Sequence, residues 1–480
     1  MRRVVLPVIA VAALAVRLVP LLAASGLVSV DHYDDGVYYA AAASLVDGRL
    51  PYRDFVLLHP PLIALVLTPF AALGRLTSDP TGFLLARLAW ILVGTATAVL
   101  AARFAARWGT GAALVAGLWV ACSATASYAS QSTFIEPAAD LALLGGVVLI
   151  SGDHERPRRE LAAGVLLGVA LTGKIWYVAP VGVLLLVLLL QRRFRPALRA
   201  AATASVTATA ILLPFFVADP AAMWRMVVHD QLTRRPTERA TLADRLALGT
   251  IGHDLGLGHP GMVAAATVAT VLLVAATVAI ARYERQAWPV AAVAAATLGL
   301  LLLSPSSFRH YGSLTAAPVG ITLAVGLSLL GPRMLPHGRT RRVATVALVA
   351  TIAATGVLTI ATSHLRPFPR AQVAAVLPAG CITADSPSSL ILTDRLTSDL
   401  RDRCPVPVDV SGTSYGVGIA RSRDVPYLTW LRGYLTSGSA MILTRRPHGD
   451  GLSRPELAAL GRPVYDSGRV RVQLPLRRGP

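Results

Sequence analysis

Charge is scarce in this chain. Only 15% of its 480 residues are charged, 54% are apolar, and the mean hydropathy is +0.59. Soluble domains carry roughly 25% charged residues, and even a large globular fold leaves about a quarter of its unfolded surface in water. The shortage excludes a soluble single-domain enzyme and marks an integral membrane protein. Lysine is scarcer still: Lys174 is the one lysine among 45 basic residues. A P-loop, a dinucleotide glycine motif and a His/Asp/Cys cluster with zinc spacing are all absent. Their absence argues against a nucleotide-sugar or ATP-driven enzyme and leaves no metal site assigned. The net charge of +19 comes from short basic clusters between apolar runs. Helices that span lipid present no continuous basic groove, so a nucleic-acid partner is not expected.

What is present is a series of apolar runs. A span needs about 20 apolar residues, and the runs 4–24, 83–102, 110–128, 137–151, 161–175, 177–190, 198–217, 261–281, 287–303, 315–331 and 343–362 predict roughly eleven spans. The first reads as an uncleaved span interrupted by Arg17. The apolar stretch Pro61 to Leu73 would invert everything after it if counted. Left out, it places Arg2/Arg3, Arg103/Arg107, Arg156/Arg158/Arg159, Arg192/Arg193/Arg195/Arg199, Arg282/Arg285 and Arg333/Arg339/Arg341/Arg342 all on the cytoplasmic side. The segment 51–74 is therefore read as juxtamembrane or half-inserted on the outer face, within an outer loop 25–74. The expected fold is an α-helical polytopic membrane protein in the plasma (inner) membrane, with its N-terminus cytoplasmic. Residues 1–365 form the multi-span domain and 366–480 a small extracytoplasmic α/β domain.

The tail supports that division. Ser453, with Pro455 two residues on, predicts a helix start, and the alternation Arg469-Val470-Arg471-Val472 predicts a closing strand. Cys381 and Cys404 both fall in this outer tail, where an oxidising compartment permits a disulfide. Two buried free thiols are the alternative, and only spatial distance separates the two.

Four outer segments carry candidate chemistry. Asp31-His32-Tyr33-Asp34-Asp35-Gly36-Val37-Tyr38 puts three carboxylates at the mouth of a helix bundle, suited to general-base work or cation binding. Gly48-Arg49-Leu50-Pro51-Tyr52-Arg53-Asp54 and His59-Pro60-Pro61-Leu62 follow. Next, Glu136 and Asp140 stand four apart on one face of a helix opened by Pro137. Third, Lys174 beside Trp176 and Tyr177 reads as an ammonium at lipid-phosphate depth, the alternative being a snorkelling side chain. Fourth, Arg309-His310-Tyr311 offers a phosphate clamp with hydrogen-bonding neighbours. The loop 218–260, with Trp224, His229, Asp230, Arg234, Arg235, His253, Asp254 and His259, is expected to shape an acceptor site.

The Asp34-Asp35-Gly36-Val37-Tyr38 run, the Gly-x-x-Pro-Tyr-x-Asp at 48–54 and the His-Pro-Pro-Leu at 59–62 resemble the first outer loop of the GT-C glycosyltransferase superfamily. The nearest branches are the protein O-mannosyltransferases and the lipid A aminoarabinose transferases. The resemblance implies an acidic catalytic residue after the first span, acting on sugars delivered by a polyprenyl phosphate. Asp34 matches that position best, with Asp35 open as the alternative because many relatives carry glutamate there. It further implies that Glu136 orients the acceptor or a partner cation, and that Lys174 and Arg309 meet the donor phosphate. His310, Tyr311, His59, Tyr38 and Asp140 join them in binding substrate.

The expected activity is transfer of a sugar, mannose or arabinose by analogy, from a polyprenyl-phosphate donor to an envelope glycan, lipid or protein acceptor. Transfer is expected on the extracytoplasmic face, with inversion in a single displacement. No cofactor is assigned, although some superfamily members use a divalent cation. Two readings from other classes stay open: a transporter or flippase for a lipid-linked or anionic solute, and a non-catalytic envelope assembly protein.

Overall fold

The computed structural model describes residues 2–23, 27, 29–30, 32–152, 155–233, 240–252, 258–363, 365, 367–415, 418–444 and 450–476. In chain order the first helices are α1 (Arg2–Ala23), α2 (Tyr33–Val46), α3 (Leu62–Leu76), α4 (Asp79–Ala105), α5 (Thr110–Cys122), α6 (Ala124–Ser130), α7 (Ile135–Ile150), α8 (Pro157–Leu171), α9 (Val178–Leu190) and α10 (Phe194–Ala218). They are followed by α11 (Pro220–Trp224), α12 (Asp230–Leu232), α13 (Leu242–Gly249), α14 (Gly258–Tyr283), α15 (Trp288–Leu303), α16 (Ser313–Met334) and α17 (Gly338–Ala361). The tail holds α18 (Arg370–Val376), β1 (Ile382–Ala384), α19 (Pro387–Leu392), α20 (Leu396–Arg401), α21 (Val425–Thr436), β2 (Ala440–Leu443), α22 (Arg454–Ala459), β3 (Gly461–Asp466) and β4 (Arg471–Pro475).

Helices stand at all the positions where apolar runs predict spans. Among the described residues seven are long and apolar enough to cross a membrane, or eight if the bent pair α5–α6 is one span. The shortfall from eleven lies in α7, α8 and α9, with 16, 15 and 13 residues. At 1.5 Å per residue these reach about 20 to 24 Å, short of a hydrocarbon core of roughly 30 Å. The run 61–73, excluded from the span count, forms the 15-residue α3.

The run 110–128 is not the single straight span its composition predicts. It breaks at Ser123 with a 55° bend. Ser123 leaves the helical conformation, with φ −60° and ψ 119°, and its hydroxyl accepts from the Ala126 amide to cap α6. The break frees carbonyls at the end of α5, and Arg17 of α1 takes them up. Its guanidinium donates to the carbonyls of Ala121 at 3.0 Å and Val120 at 3.3 Å, and to the Ser130 hydroxyl at 2.8 Å. Arg17 is fully buried. The residue that interrupts the first apolar run is therefore a clasp on the broken helix.

Packing divides the chain into two units. The first comprises Met1–Ala23, Leu88–Leu212 and Pro236–His364; the second comprises Ala24–Arg87, Leu213–Arg235 and Leu365–Pro480. The first unit is built on an alanine- and leucine-rich core from α1, α5, α7, α8, α9, α15 and α16. Small residues let helix backbones approach closely where lipid supplies no hydrophobic drive between helices.

In the second unit the tail packs on the first outer loop, which a boundary at 365 assigns to the multi-span domain. The reason is specific contact. A Cβ on Gly36 of α2 would lie 2.1 Å from Ser388 Oγ of α19. The Tyr33 hydroxyl donates to Asp409 at 2.9 Å, and the Asp79 carboxylate accepts from the Thr397 amide at 2.8 Å.

The tail sheet has the order β1-β2-β4-β3, with β1 and β2 parallel and the other pairs antiparallel. The predicted helix start at Ser453 is a full capping box with Glu456, whose carboxylate the Ser453 hydroxyl and amide hold down to about 2. Cys381 and Cys404 form a disulfide with 5.5 Å between their Cα atoms, so the two-free-thiol alternative falls away. The bridge closes a loop of 23 residues, for which loop-closure entropy gives about 3 kcal/mol. The Cys381→Ser/Cys404→Ser variant is expected to lower the unfolding free energy of the tail, read from urea unfolding, by that amount, and an unmoved midpoint would show the bridge to be silent.

Asp399 of α20 lies beside this bridge, its backbone carbonyl accepting from the Cys404 amide at 2.8 Å. Burial pushes its carboxyl up to about 7, only partly offset by a hydrogen bond from the Ile382 amide. An unfolded aspartate titrates near 3.9, so between about pH 4 and 7 the native state holds a proton that the unfolded chain has released. Tail stability therefore falls as pH rises through that window and is level above it. The midpoint gap between Asp399→Asn and the parent is expected to change between pH 5 and pH 8. A constant gap would refute the assignment.

Candidate functional site

In the second unit the acidic motif opens α2. Asp34 and Asp35 occupy its first turn, where the helix dipole favours carboxylates. Consecutive residues point about 100° apart, so the two acids part company. Asp35 is fully buried and accepts from Arg87 Nη2 at 2.6 Å, while Asp34 is only half-buried. Arg87, also buried, donates to the carbonyls of Leu27 and Ser29 at 2.7 and 2.9 Å and stacks over the Phe83 ring at 4.2 Å. The ion pair thus fixes the chain entering α2, and Asp34 is the carboxylate of the pair that reaches the surface.

The second half of the motif is a folded loop. Gly48, at φ +84°, follows the end of α2, and its amide donates to the Leu45 carbonyl. Asp54 accepts from the Leu50 amide at 2.7 Å and from Arg53. The side chain of Arg53 lowers the Asp54 carboxyl below its ordinary range. The Tyr52 hydroxyl donates to the His59 carbonyl at 2.8 Å, and His59 meets the Tyr38 ring edge-on at 6.2 Å between centroids. The loop therefore gathers Tyr38, Tyr52 and His59 within the same unit as Asp34.

The first unit carries a separate, buried charge cluster where α7 and α16 begin and α8 ends. Lys174 Nζ donates to Glu136 Oε1 at 3.0 Å, with both side chains at least 96% buried. Two aromatic rings flank the ammonium, with Trp176 at 4.3 Å and Tyr311 at 3.8 Å from Nζ to ring centroid. His310 Nε2 stands 3.8 Å from the same glutamate oxygen, and its ring stacks on Phe134 at 4.4 Å. One turn along α7, Asp140 accepts from the Tyr177 hydroxyl and from Ser313 Oγ, each at 2.7 Å. Arg309 lies over the Tyr128 ring at 4.8 Å, and among the described residues its buried Nε has no hydrogen-bond partner. An ammonium, an imidazole and a guanidinium thus meet two carboxylates, Glu136 and Asp140, at one end of three helices. Among the described residues no group of three or more His, Cys, Asp or Glu side chains is placed to hold a metal ion.

Glu136 and Asp140 share an inward face, as their spacing predicts, and Lys174, Arg309, His310 and Tyr311 gather in the same unit. Lys174, however, is not a lone ammonium: it is buried and paired with Glu136. Arg17 and Arg87 went unassigned in the sequence reading. An arginine inside an apolar span needs a partner, and that rule alone singles out both. Asp31, Arg234, Arg235, His253 and Asp254 lie outside the described residues.

Comparison with known proteins bears on this arrangement. The model of glycosyltransferase family 87 matches residues 57–305. The fold is similar to ArnT from Cupriavidus metallidurans bound to undecaprenyl phosphate, at TM-score 0.64 and 17% identity over 98% of each chain. The apo state of ArnT gives 0.65 over the same coverage. Archaeal oligosaccharyltransferase AglB from Archaeoglobus fulgidus, in complex with an inhibitory peptide and a dolichol-phosphate, gives 0.55 at 11% identity, over 92% of this chain and 69% of that one. No curated protein matches the chain in sequence.

Proposed function

The chain belongs to glycosyltransferase family 87, and from that premise we propose that it transfers a sugar from a polyprenyl-phosphate donor to an envelope glycan, lipid or protein on the extracytoplasmic face. The observation that carries the reading is the parting of the two acids in α2: Asp35 is locked to Arg87 while Asp34 is presented at the surface. A buried pair behind a half-buried carboxylate positions a general base. Two further observations support it. Solved structures of similar fold hold undecaprenyl phosphate and a dolichol-phosphate, and the sequence contains no nucleotide-binding motif.

In the proposed step the acceptor hydroxyl oxygen attacks the anomeric carbon, its proton passes to Asp34, and the carbon–oxygen bond to the donor phosphate breaks. The polyprenyl phosphate leaves with the bonding electrons. Lys174 and Arg309 answer the charge that develops on it, and His310, Tyr311, Tyr38, His59, Glu136 and Asp140 position substrate. A single displacement inverts the anomeric centre. The arginine clusters between the apolar runs support a cytoplasmic N-terminus and a tail domain on the outer face. Mannose and arabinose are the sugars to try first, by analogy with the GT-C branches whose motifs the first outer loop resembles.

The test is transfer of radiolabelled sugar from a panel of polyprenyl-phosphate donors in membranes carrying the parent protein. Transfer that disappears without the protein supports the reading. Absence of transfer from every donor, together with flux of the same lipids across proteoliposomes, would replace it with a flippase.

A further inference from the structure

Within the second unit, Asp34 stands between residues that the tail holds. On its N-terminal side Tyr33, the first residue of α2, engages two tail groups with one hydroxyl: it donates to Asp409 Oδ1 at 2.9 Å and accepts from the Ser411 amide at 3.0 Å. On its C-terminal side Gly36 seats against α19. A Cβ there would lie 2.6 Å from the Ser388 amide nitrogen and 3.0 Å from the Ser388 Cα, so the contact is with main chain that no rotamer change relieves. Asp35, the residue between Asp34 and Gly36, is tied to Arg87. The residue before Asp34 and the two after it are thus all held, and two of those three by the tail.

The tail's side of this grip is itself rooted. Burial alternates from Val406 to Val410: the three valines Val406, Val408 and Val410 are buried, while Pro407 and Asp409 are half-buried. Val410 belongs to the tail core with Leu428 and Leu431. The alternation turns Asp409 away from that core, and the Gly412 amide fixes its carboxylate a second time at 2.8 Å. The first turn of a helix is where fraying starts, because its amides have no partners within the helix. A general base placed there works only if that turn is kept in register with the substrate.

We propose that the tail is a positioning element of the reaction centre: by holding Tyr33 and Gly36 it fixes the turn that carries Asp34, with Tyr33 and Asp409 as positioning residues for transfer. This rests on the reading of Asp34 as the general base. It gives the tail a part in the chemistry without contact with the reacting atoms.

The test compares Tyr33→Phe with the parent full chain in detergent, alone and in the Asp34→Asn background. Thr397→Val serves as the control, since it removes a different tail contact, the Thr397 hydroxyl bond to Asp79. The expected kcat for sugar transfer falls about ten-fold in Tyr33→Phe, with the donor KM and melting temperature near those of the parent. The loss disappears in the Asp34→Asn background, because a residue that acts through the base has nothing to position once the base is gone. Hydrogen exchange supplies a readout that needs no substrate. The amides of residues 37–40 bond back to the carbonyls of the first turn, and their exchange is expected to quicken about ten-fold in Tyr33→Phe and to stay unchanged in Thr397→Val. An equal loss of transfer with and without Asp34, unchanged exchange, or equal effects from Thr397→Val overturns the proposal. Absence of transfer in the parent rejects the transferase reading instead, and the exchange result still decides whether the tail grips the first turn.

Discussion

Replacing Asp34 by Asn is expected to lower sugar transfer by about 10²- to 10⁴-fold, the range for removal of a positioned general base, while leaving the melting temperature near that of the parent. The amide keeps the size of the carboxyl and its place in the first turn of α2, but it accepts no proton. Asp35→Asn should behave differently. It takes a charge from a fully buried pair and leaves Arg87 with a 2.6 Å contact to a neutral group, and breaking a buried pair is typically worth about 3–5 kcal/mol. The main consequence is instability, seen as a lowered melting temperature and reduced yield. Arg87→Leu combined with Asp35→Leu would recover part of that stability. The readouts are transfer at matched protein level and thermal unfolding in detergent. Loss of transfer in Asp35→Asn at unchanged melting temperature, with Asp34→Asn active, would exchange the two roles.

The contrast between the two acids shows where sequence reading stops. The acidic motif, its place after the first span and its helical continuation were all legible from residues 31–46. Which acid faced outward was not, because α2 is buried on nearly all sides, and a helix without a polar face has no periodicity that orients its charges. The partner that settles Asp35 is Arg87, 52 residues away on another helix. Local spacing carries no record of such a pairing. The same holds for Glu136 and Lys174, 38 residues apart: each was singled out alone, and neither motif named the other. The tail was legible where its signals were local, as in the Ser453 cap and the Arg469–Val472 alternation. Its attachment to the first outer loop rests on tertiary contacts such as that of Tyr33 with Asp409.

Lys174→Met is the second large effect. The substitution keeps an unbranched side chain of similar length between the Trp176 and Tyr311 rings but removes the charge that balances Glu136. A carboxylate 4% exposed is then left beside His310 at 3.8 Å as its remaining basic neighbour among the ion pairs described. Loss of one member of a buried pair predicts destabilisation of about 3–5 kcal/mol, together with loss of transfer. The double variant Lys174→Met/Glu136→Gln separates the two. With both charges gone the burial penalty largely disappears, so the melting temperature should return toward the parent value, because a neutral pair of similar shape is often tolerated. Transfer should stay lost if the ammonium serves the donor phosphate. Recovery of transfer along with stability would make the pair structural and leave the phosphate to Arg309. Lys174→Arg gives the third comparison: it preserves the charge but places a broad planar group where two rings lie 3.8 and 4.3 Å from a compact ammonium. Arginine supplies nearly every other cation in this chain, so a defect in Lys174→Arg would tie the one lysine to that narrow slot, in which a point charge fits and a fork does not.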